Sequence, residues 1–281
     1  MKKQWILALS GLVLLASLYL FGKTALPRTI AERSVTPAEK AYDIHLVIQK
    51  AKIQLPPAQE IYLGKLENSV TRGDVSAQQV KAYTELAGFW NDSLHVFEPY
   101  AYYLSEAAKL EKSEKSLTFA AQLILDNLRA ENDEAKLNWK AELAISLFEK
   151  ALEQDPGNDD LKIGLGSCYV FGKGRTGGPQ ETMKGIQQLL EVVRKDSNNL
   201  KAQLVLGVGG FVSGQYDKAI ERLLKVVRAD PGNLEAAAFL ADTYAAKGNK
   251  AEAIKWYEVS KRLANNAGYT KEADARIKAL Q

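Results

Sequence analysis

Cysteine and histidine are nearly missing from this chain of 281 residues, which has one cysteine and two histidines. The lone Cys168 has no partner for an internal disulfide, so packing must hold the fold together. His45 and His95 lie far apart in sequence with no cysteine pair beside them, which speaks against a structural zinc site. Eight prolines and twenty glycines are too few, and too irregular, for a collagenous or low-complexity chain. With 46% apolar and 25% charged residues the chain belongs to the globular class. A surplus of charge is also missing once position is considered. Three of the 37 basic residues, Lys2, Lys3 and Lys23, fall in 1–23, where there is no acid, and the remaining 34 balance the 34 acidic residues. Binding along a phosphate backbone draws on a basic surplus, so no nucleic-acid partner is expected.

Motifs that carry chemistry are absent as well. Gly164-x-Gly166 has Tyr169 where a dinucleotide fingerprint needs glycine, and Gly207-x-Gly209 fails in the same way at Val212. Between Gly166 and Gly172-Lys173 there is one residue too many for a phosphate loop, and Gly174 replaces the Ser or Thr that would hold magnesium. No nucleophile–base pair emerges, and Glu131–Glu134 and Asp159-Asp160 read as helix ends and turns rather than an acid–base pair. Cys168 falls inside a helix, where a buried and inert thiol is expected. The reading is of a non-enzyme without metal or cofactor.

One long apolar run is present. Residues 5–22 read WILALSGLVLLASLYLFG without a charge. As a helix they would span roughly 27 Å, close to a hydrocarbon core of ~30 Å. A cleaved signal peptide has a shorter apolar region and a small-x-small site. Here Leu20-Phe21-Gly22 and Lys23-Thr24-Ala25 both put a poor residue first, so an uncleaved anchor is the preferred reading. Lys2, Lys3 and the amino terminus against Lys23 and Arg28 lean the N-terminus to the cytoplasm and residues 24–281 outside it.

The strongest signal is internal repetition. Val192-Val193-Arg194-Lys195-Asp196-Ser197-Asn198-Asn199-Leu200 returns as Val226-Val227-Arg228-Ala229-Asp230-Pro231-Gly232-Asn233-Leu234, an offset of 34 residues. A further step reaches Asn265, and Asp155-Pro156-Gly157-Asn158 precedes Asp196 by 41, which leaves seven residues to be placed in a loop. Ala219, Ile220, Leu223, Leu224 and Val227 form one apolar face at helical spacing. Pro231-Gly232-Asn233 then ends that helix.

These residues resemble the tetratricopeptide repeat (TPR) family, and the whole chain is similar to membrane-anchored bacterial TPR proteins. The resemblance rests on Leu206-Gly207, Gly214, Tyr216, Ala219, Leu223 and Pro231 in one unit. Leu240-Ala241, Tyr244, Gly248, Ala253 and Tyr257 carry it in the next. Leu165-Gly166, Tyr169 and Leu189 carry it before the first of these, behind an earlier second helix with Ala144, Phe148, Ala151 and Pro156. The resemblance implies an all-α, right-handed superhelix of stacked hairpins, here with an N-terminal transmembrane helix. The expected organisation is a membrane anchor at 1–23, a linker at 24–36 and degenerate helical hairpins at 37–135. TPR repeats at 136–267 and a capping helix at 268–281 complete it. A helix is expected to begin at Thr36-Pro37 and to carry Tyr42, Ile44, Leu46, Val47 and Ile48, and another at Pro57.

The resemblance also implies a concave groove that binds a peptide or an amphipathic helix. Its offsets fall on Ile163, Ser167, Val170 and Phe171, then Leu204, Val208, Phe211 and Val212, then Ala238, Asp242 and Ala245. Lys and Asn, which a carboxylate-clamping groove of this family would show, do not occupy these places. A mostly apolar groove follows, filled by a partner helix or by the chain's own helix at 37–55. The glycine-rich stretch 172–178, with Lys173 and Arg175, reads either as a flexible surface loop or as an anion site. The function expected is a non-catalytic, membrane-tethered scaffold or adaptor. An envelope assembly factor, for haem-protein or outer-envelope complex maturation, and anion or nucleotide binding at 172–178 are the alternatives.

Overall fold

A computed structural model describes residues 42–72 and 76–281, with backbone alone at Thr71 and Arg72. The apolar run 5–22 and the start of the helix expected at Thr36-Pro37 lie outside the described residues. Among the described residues no helix is long and apolar enough to cross a membrane, and no strand occurs.

Within the same residues, thirteen helices of nine residues or more follow one another. They are α1 (Ile44–Lys52), α2 (Pro57–Arg72), α3 (Ser76–Gly88), α4 (Phe97–Glu111), α5 (Glu114–Leu128), α6 (Glu134–Gln154) and α7 (Asp159–Cys168). Then come α8 (Pro179–Lys195), α9 (Leu200–Val212), α10 (Tyr216–Ala229), α11 (Leu234–Ala246), α12 (Lys250–Ala264) and α13 (Ala267–Leu280). Neighbours in sequence are neighbours in space. The hairpins α3–α4, α5–α6, α7–α8, α9–α10 and α11–α12 stack in chain order, and α13 packs on α12. Every hairpin buries one face against the next, which is the logic of a solenoid.

The recurring Asp-x-x-Asn turn has a local cause. Asp230 accepts from Gly232 N at 3.2 Å and from Asn233 Nδ2 at 3.1 Å, which folds the chain back after α10. Asn233 Oδ1 then accepts from Ala236 N at 2.9 Å and caps α11. Asn199 caps α9 through Ala202 N at 3.0 Å, and Asn158 caps α7 through Leu161 N at 3.2 Å. A single asparagine thus ends the turn and satisfies an orphan amide of the next helix. Between the two helices of a hairpin, Gly214 and Gly248 have φ of 75° and 83°, a backbone that side-chain-bearing residues rarely adopt.

Two expectations are corrected here. The first N-terminal helix does not carry Tyr42, because Asp43 is its cap and accepts from His45 N at 2.9 Å and Leu46 N at 3.1 Å. Nor is 172–178 a flexible loop. The chain leaves α7 through a π-helical turn, Tyr169–Lys173, and one more turn, Gly174–Gly177, before Gly178 and Pro179 open α8. Gly172 lies against Ala141 of α6 and Gly174 against Thr182 of α8, so buried contact rather than freedom explains these glycines.

One core runs from α4 to α9 around Leu117, Ile124, Phe148, Leu161, Cys168 and Leu189. A second gathers Trp90, Phe89, Tyr103, Leu63, Leu66 and Leu86 from α1 to α4 and the turn after α3. Between them sits Lys140, its side chain only 2% exposed, bound to Glu131 at 2.6 Å and Glu98 at 3.2 Å. Burial raises the Glu131 carboxyl, but the Lys140 hydrogen bond and two backbone amides outweigh it and hold the group at about 2. Tyr42 stacks on Trp139 beside this cluster at 5.2 Å, so α1 belongs to the α4 end of the molecule.

Candidate functional site

The first helices of three successive hairpins, α5, α7 and α9, turn one face toward a shared cavity of about 350 Å³. The 41-residue step from Asn158 to Asn199 places α7 and α9 in the same register. Ile163 is therefore matched by Leu204, Gly164 by Val205, and Asp160 by Lys201, and all six line the cavity. From α5 come Thr118, Gln122, Leu125, Asp126 and Arg129, which share one face at helical spacing. Phe148 of α6 reaches the cavity because Gly164 has no side chain. A Cβ there would sit 2.4 Å from the ring.

The floor of this site is apolar, built from Leu125, Phe148, Ile163, Phe171, Leu204 and Val205, and its rim is polar. Lys201 and Asp160 pair across the rim at 3.4 Å, both well exposed. Gln122 donates to Asp126 at 2.7 Å. The Arg129 guanidinium lies over the Phe171 ring, 4.2 Å from its centroid. An apolar floor of this size with a few convergent polar groups suits a small number of side chains from a bound segment.

The structure divides the groove residues expected from sequence. Ile163, Ser167, Phe171 and Leu204 meet at the cavity. Val170 and Val208 do not, and this is a correction: at 0% and 1% exposure they lie inside the core, where no partner can touch them. Val170, within the π-helical turn, lies against Gly209 of α9. Phe211 meets Phe239 edge-on at 5.9 Å and Tyr216 at a tilt at 6.4 Å, and Val212 is half-buried against the core. Asp242 accepts from Tyr257 Oη and from Arg276 Nη1, both at 2.6 Å, so it ties the capping helix down. Burial, then this hydrogen bond, pushes the Tyr257 phenol up to about 12.

Lys173 is held by Glu142, while Arg175 is exposed on the turn after it. Burial pushes the Cys168 thiol far up, consistent with an inert side chain. Among the described residues no group of three or more His, Cys, Asp or Glu is placed to hold a metal ion. A wider hollow of about 610 Å³ between α2 and α3 is lined by Lys65, Asn68, Ser69, Gln78, Lys81, Ala82 and Glu85.

Sequence reasoning missed the α5 contribution. Its signal was available, since Thr118, Gln122, Leu125 and Arg129 recur at helical spacing, but the 34-residue pattern does not reach that far upstream. It also missed where α1 goes. That helix packs on α4, away from the cavity, and does not fill it.

The family model for the tetratricopeptide repeat matches residues 211–268. No curated protein matches the chain in sequence. Among solved structures, TTC0263, a thermophilic TPR protein in Thermus thermophilus, is 16% identical with a TM-score of 0.50, covering 73% of this chain and 98% of its own. YrrB, described as a TPR protein with an unusual peptide-binding site, is 20% identical with a TM-score of 0.44, covering 69% and 91%. MamA from residue 41 onward, from Desulfovibrio magneticus RS-1, is 19% identical with a TM-score of 0.44, covering 66% and 93%. The likeness to the first is one of fold.

Proposed function

We propose that this chain, whose residues 211–268 match the tetratricopeptide repeat, is a non-catalytic scaffold holding a protein partner in the groove of α5, α7 and α9. One observation carries this reading: a preformed cavity with an apolar floor and a polar rim, lined by residues of three consecutive hairpins. The partner is a peptide or an amphipathic helix that inserts apolar side chains between Ile163, Phe171 and Leu204. Residues 5–22 anchor the protein in a membrane, with the N-terminus cytoplasmic and the repeats on the far side. That part rests on the uncharged, span-length run and its basic flank.

A photo-crosslinking residue placed at Leu204 tests the groove in intact cells. It should capture one partner in stoichiometric yield, and the same residue at Met183, exposed on α8 outside the cavity, should not. Equal capture from both positions would count against the groove. Protease digestion of intact and permeabilised cells reads the side of the membrane, and cleavage of the repeats only after the cytoplasm is opened would reverse the proposed orientation.

A further inference from the structure

The charges around the cavity divide unevenly once their partners are followed. Lys201 pairs with Asp160 across the rim. Arg129, the C-cap residue of α5, donates through Nη2 to Glu235 Oε1 in the first turn of α11. Both cations therefore have a carboxylate, and Asp126 is left over. Its Oδ1 accepts from the neutral Gln122 amide at 2.7 Å, and among the described residues no basic side chain pairs with it. The α5 face that carries Asp126 continues in the same style. Between Lys115 and Arg129 that helix has no basic residue. Thr118 of the lining donates to Glu114 at 3.4 Å, and this carboxylate too forms no ion pair among the described residues. Phe119, 59% exposed, precedes Gln122 and Asp126 by three and seven residues and so shares their side of the helix.

We propose that the segment held in the groove carries a Lys or Arg beside its apolar anchor, and that Asp126 receives that cation. The inference rests on the groove reading above and narrows it to one chemistry. A carboxylate accepts at both oxygens, and Gln122 takes one, so the other stays open to an ammonium or guanidinium donor. The Gln122 amide also holds the carboxylate at the edge of the cavity before the segment arrives, which spares ordering on binding. Lys and Arg suit this place for a further reason. Their aliphatic stems lie along the apolar floor of Leu125, Ile163 and Leu204 while the charged head stays at the wet rim. An acidic side chain would instead meet Asp126 and Asp160, with both nearby cations already paired. Phe119 offers the segment a second apolar contact along α5.

The full chain, kept in detergent micelles, can be screened against an array of short random peptides. Retained peptides should be enriched in Lys or Arg next to Leu, Ile or Phe, and added salt should weaken their binding. Two exposed substitutions should move the affinity in opposite directions. Asp126→Asn keeps the shape and should weaken the basic peptides about two- to fivefold, whereas Lys201→Gln, which frees Asp160, should strengthen them by a similar factor. Retained peptides without basic enrichment, or Asp126→Asn binding them as tightly as the wild-type chain, would overturn the proposal and leave the groove reading standing. If the wild-type chain retains no peptide at all, the groove reading itself fails and this inference falls with it. Thermal melting of both variants by circular dichroism checks the fold. Should Asp126→Asn unfold, Lys201→Gln decides alone, and unchanged or weaker binding by it overturns the proposal.

Discussion

Helices α1–α4 are held by a cluster of contacting rings around a buried tryptophan, whereas in α9–α12 alanine and glycine set the closest helix contacts, with leucine, valine and a few rings around them. In the first region Trp90 is fully buried among Phe89, Tyr103, Leu63 and Leu86. Ring contacts link Tyr62 to Phe89, Tyr83 to Tyr103, and Tyr102 to both Tyr103 and His45. In the second region Ala219, Ala241 and Ala253 are fully buried at the helix contacts. Small residues at a fixed spacing set the same close approach in every hairpin, so the geometry repeats. Rings fill whatever space remains, so each junction is individual. Regular repetition and a distinctive surface are thus different uses of one helical hairpin.

The largest expected effect tests the two packing styles against each other. Trp90→Ala should cost about 3–5 kcal/mol of stability by urea unfolding, because it removes the largest ring of the α1–α4 core. Trp90→Phe should cost much less, since the indole Nε1 has no hydrogen-bond partner among the described residues. In the array the damaging change is an added atom. Gly164→Ala should cost about 1–3 kcal/mol by displacing the Phe148 ring.

The Lys140 cluster, where α6 meets α4, sharpens the contrast through pH. Folding lowers the Glu131 carboxyl from 4.5 to about 2. A group depressed in the folded state stabilises above its unfolded value and loses that stabilisation as pH falls through the folded one. The urea midpoint should therefore drop between about pH 4.5 and about pH 2, and Glu131→Gln should flatten that segment of the curve.

The smallest effect compares caps. Asn233→Ala removes the Oδ1 that accepts from Ala236 N and the Nδ2 that closes the turn after α10 by donating to Asp230, and Asp43→Ala removes a capping acceptor at the first helix. Each should lower stability by about 1 kcal/mol. Hydrogen exchange should report the loss across two hairpins for Asn233 but only along α1 for Asp43.

Much of the repeat region was legible because its rules are short-ranged. The offset of 34 from Asp196 to Asp230 predicted helix ends that the structure places at Lys195 and Ala229. The site was legible only in part. Ile163, Phe171 and Leu204 followed from repeat register, whereas Val170 and Val208 were misplaced because helical spacing does not tell which side of an apolar face packs inside the array. Reading 172–178 as a loop failed for a related reason, since glycine in sequence looks the same whether it serves freedom or close contact.

The amino-acid sequence alone determined the helical hairpins, their turns and the register of α9 through α12, because caps, breakers and apolar faces act over a few residues. It also determined the balance of charge outside 1–23 and the uncharged run at 5–22. Only the tertiary structure decided that Arg129 lies over Phe171 and reaches Glu235, that Phe148 enters the cavity beneath Gly164, and that Lys140 is buried between two glutamates. No periodicity links Arg129 to Glu235 across 106 residues. Their meeting depends on the summed twist of the hairpins between them, and every packed side chain along the way contributes to that sum.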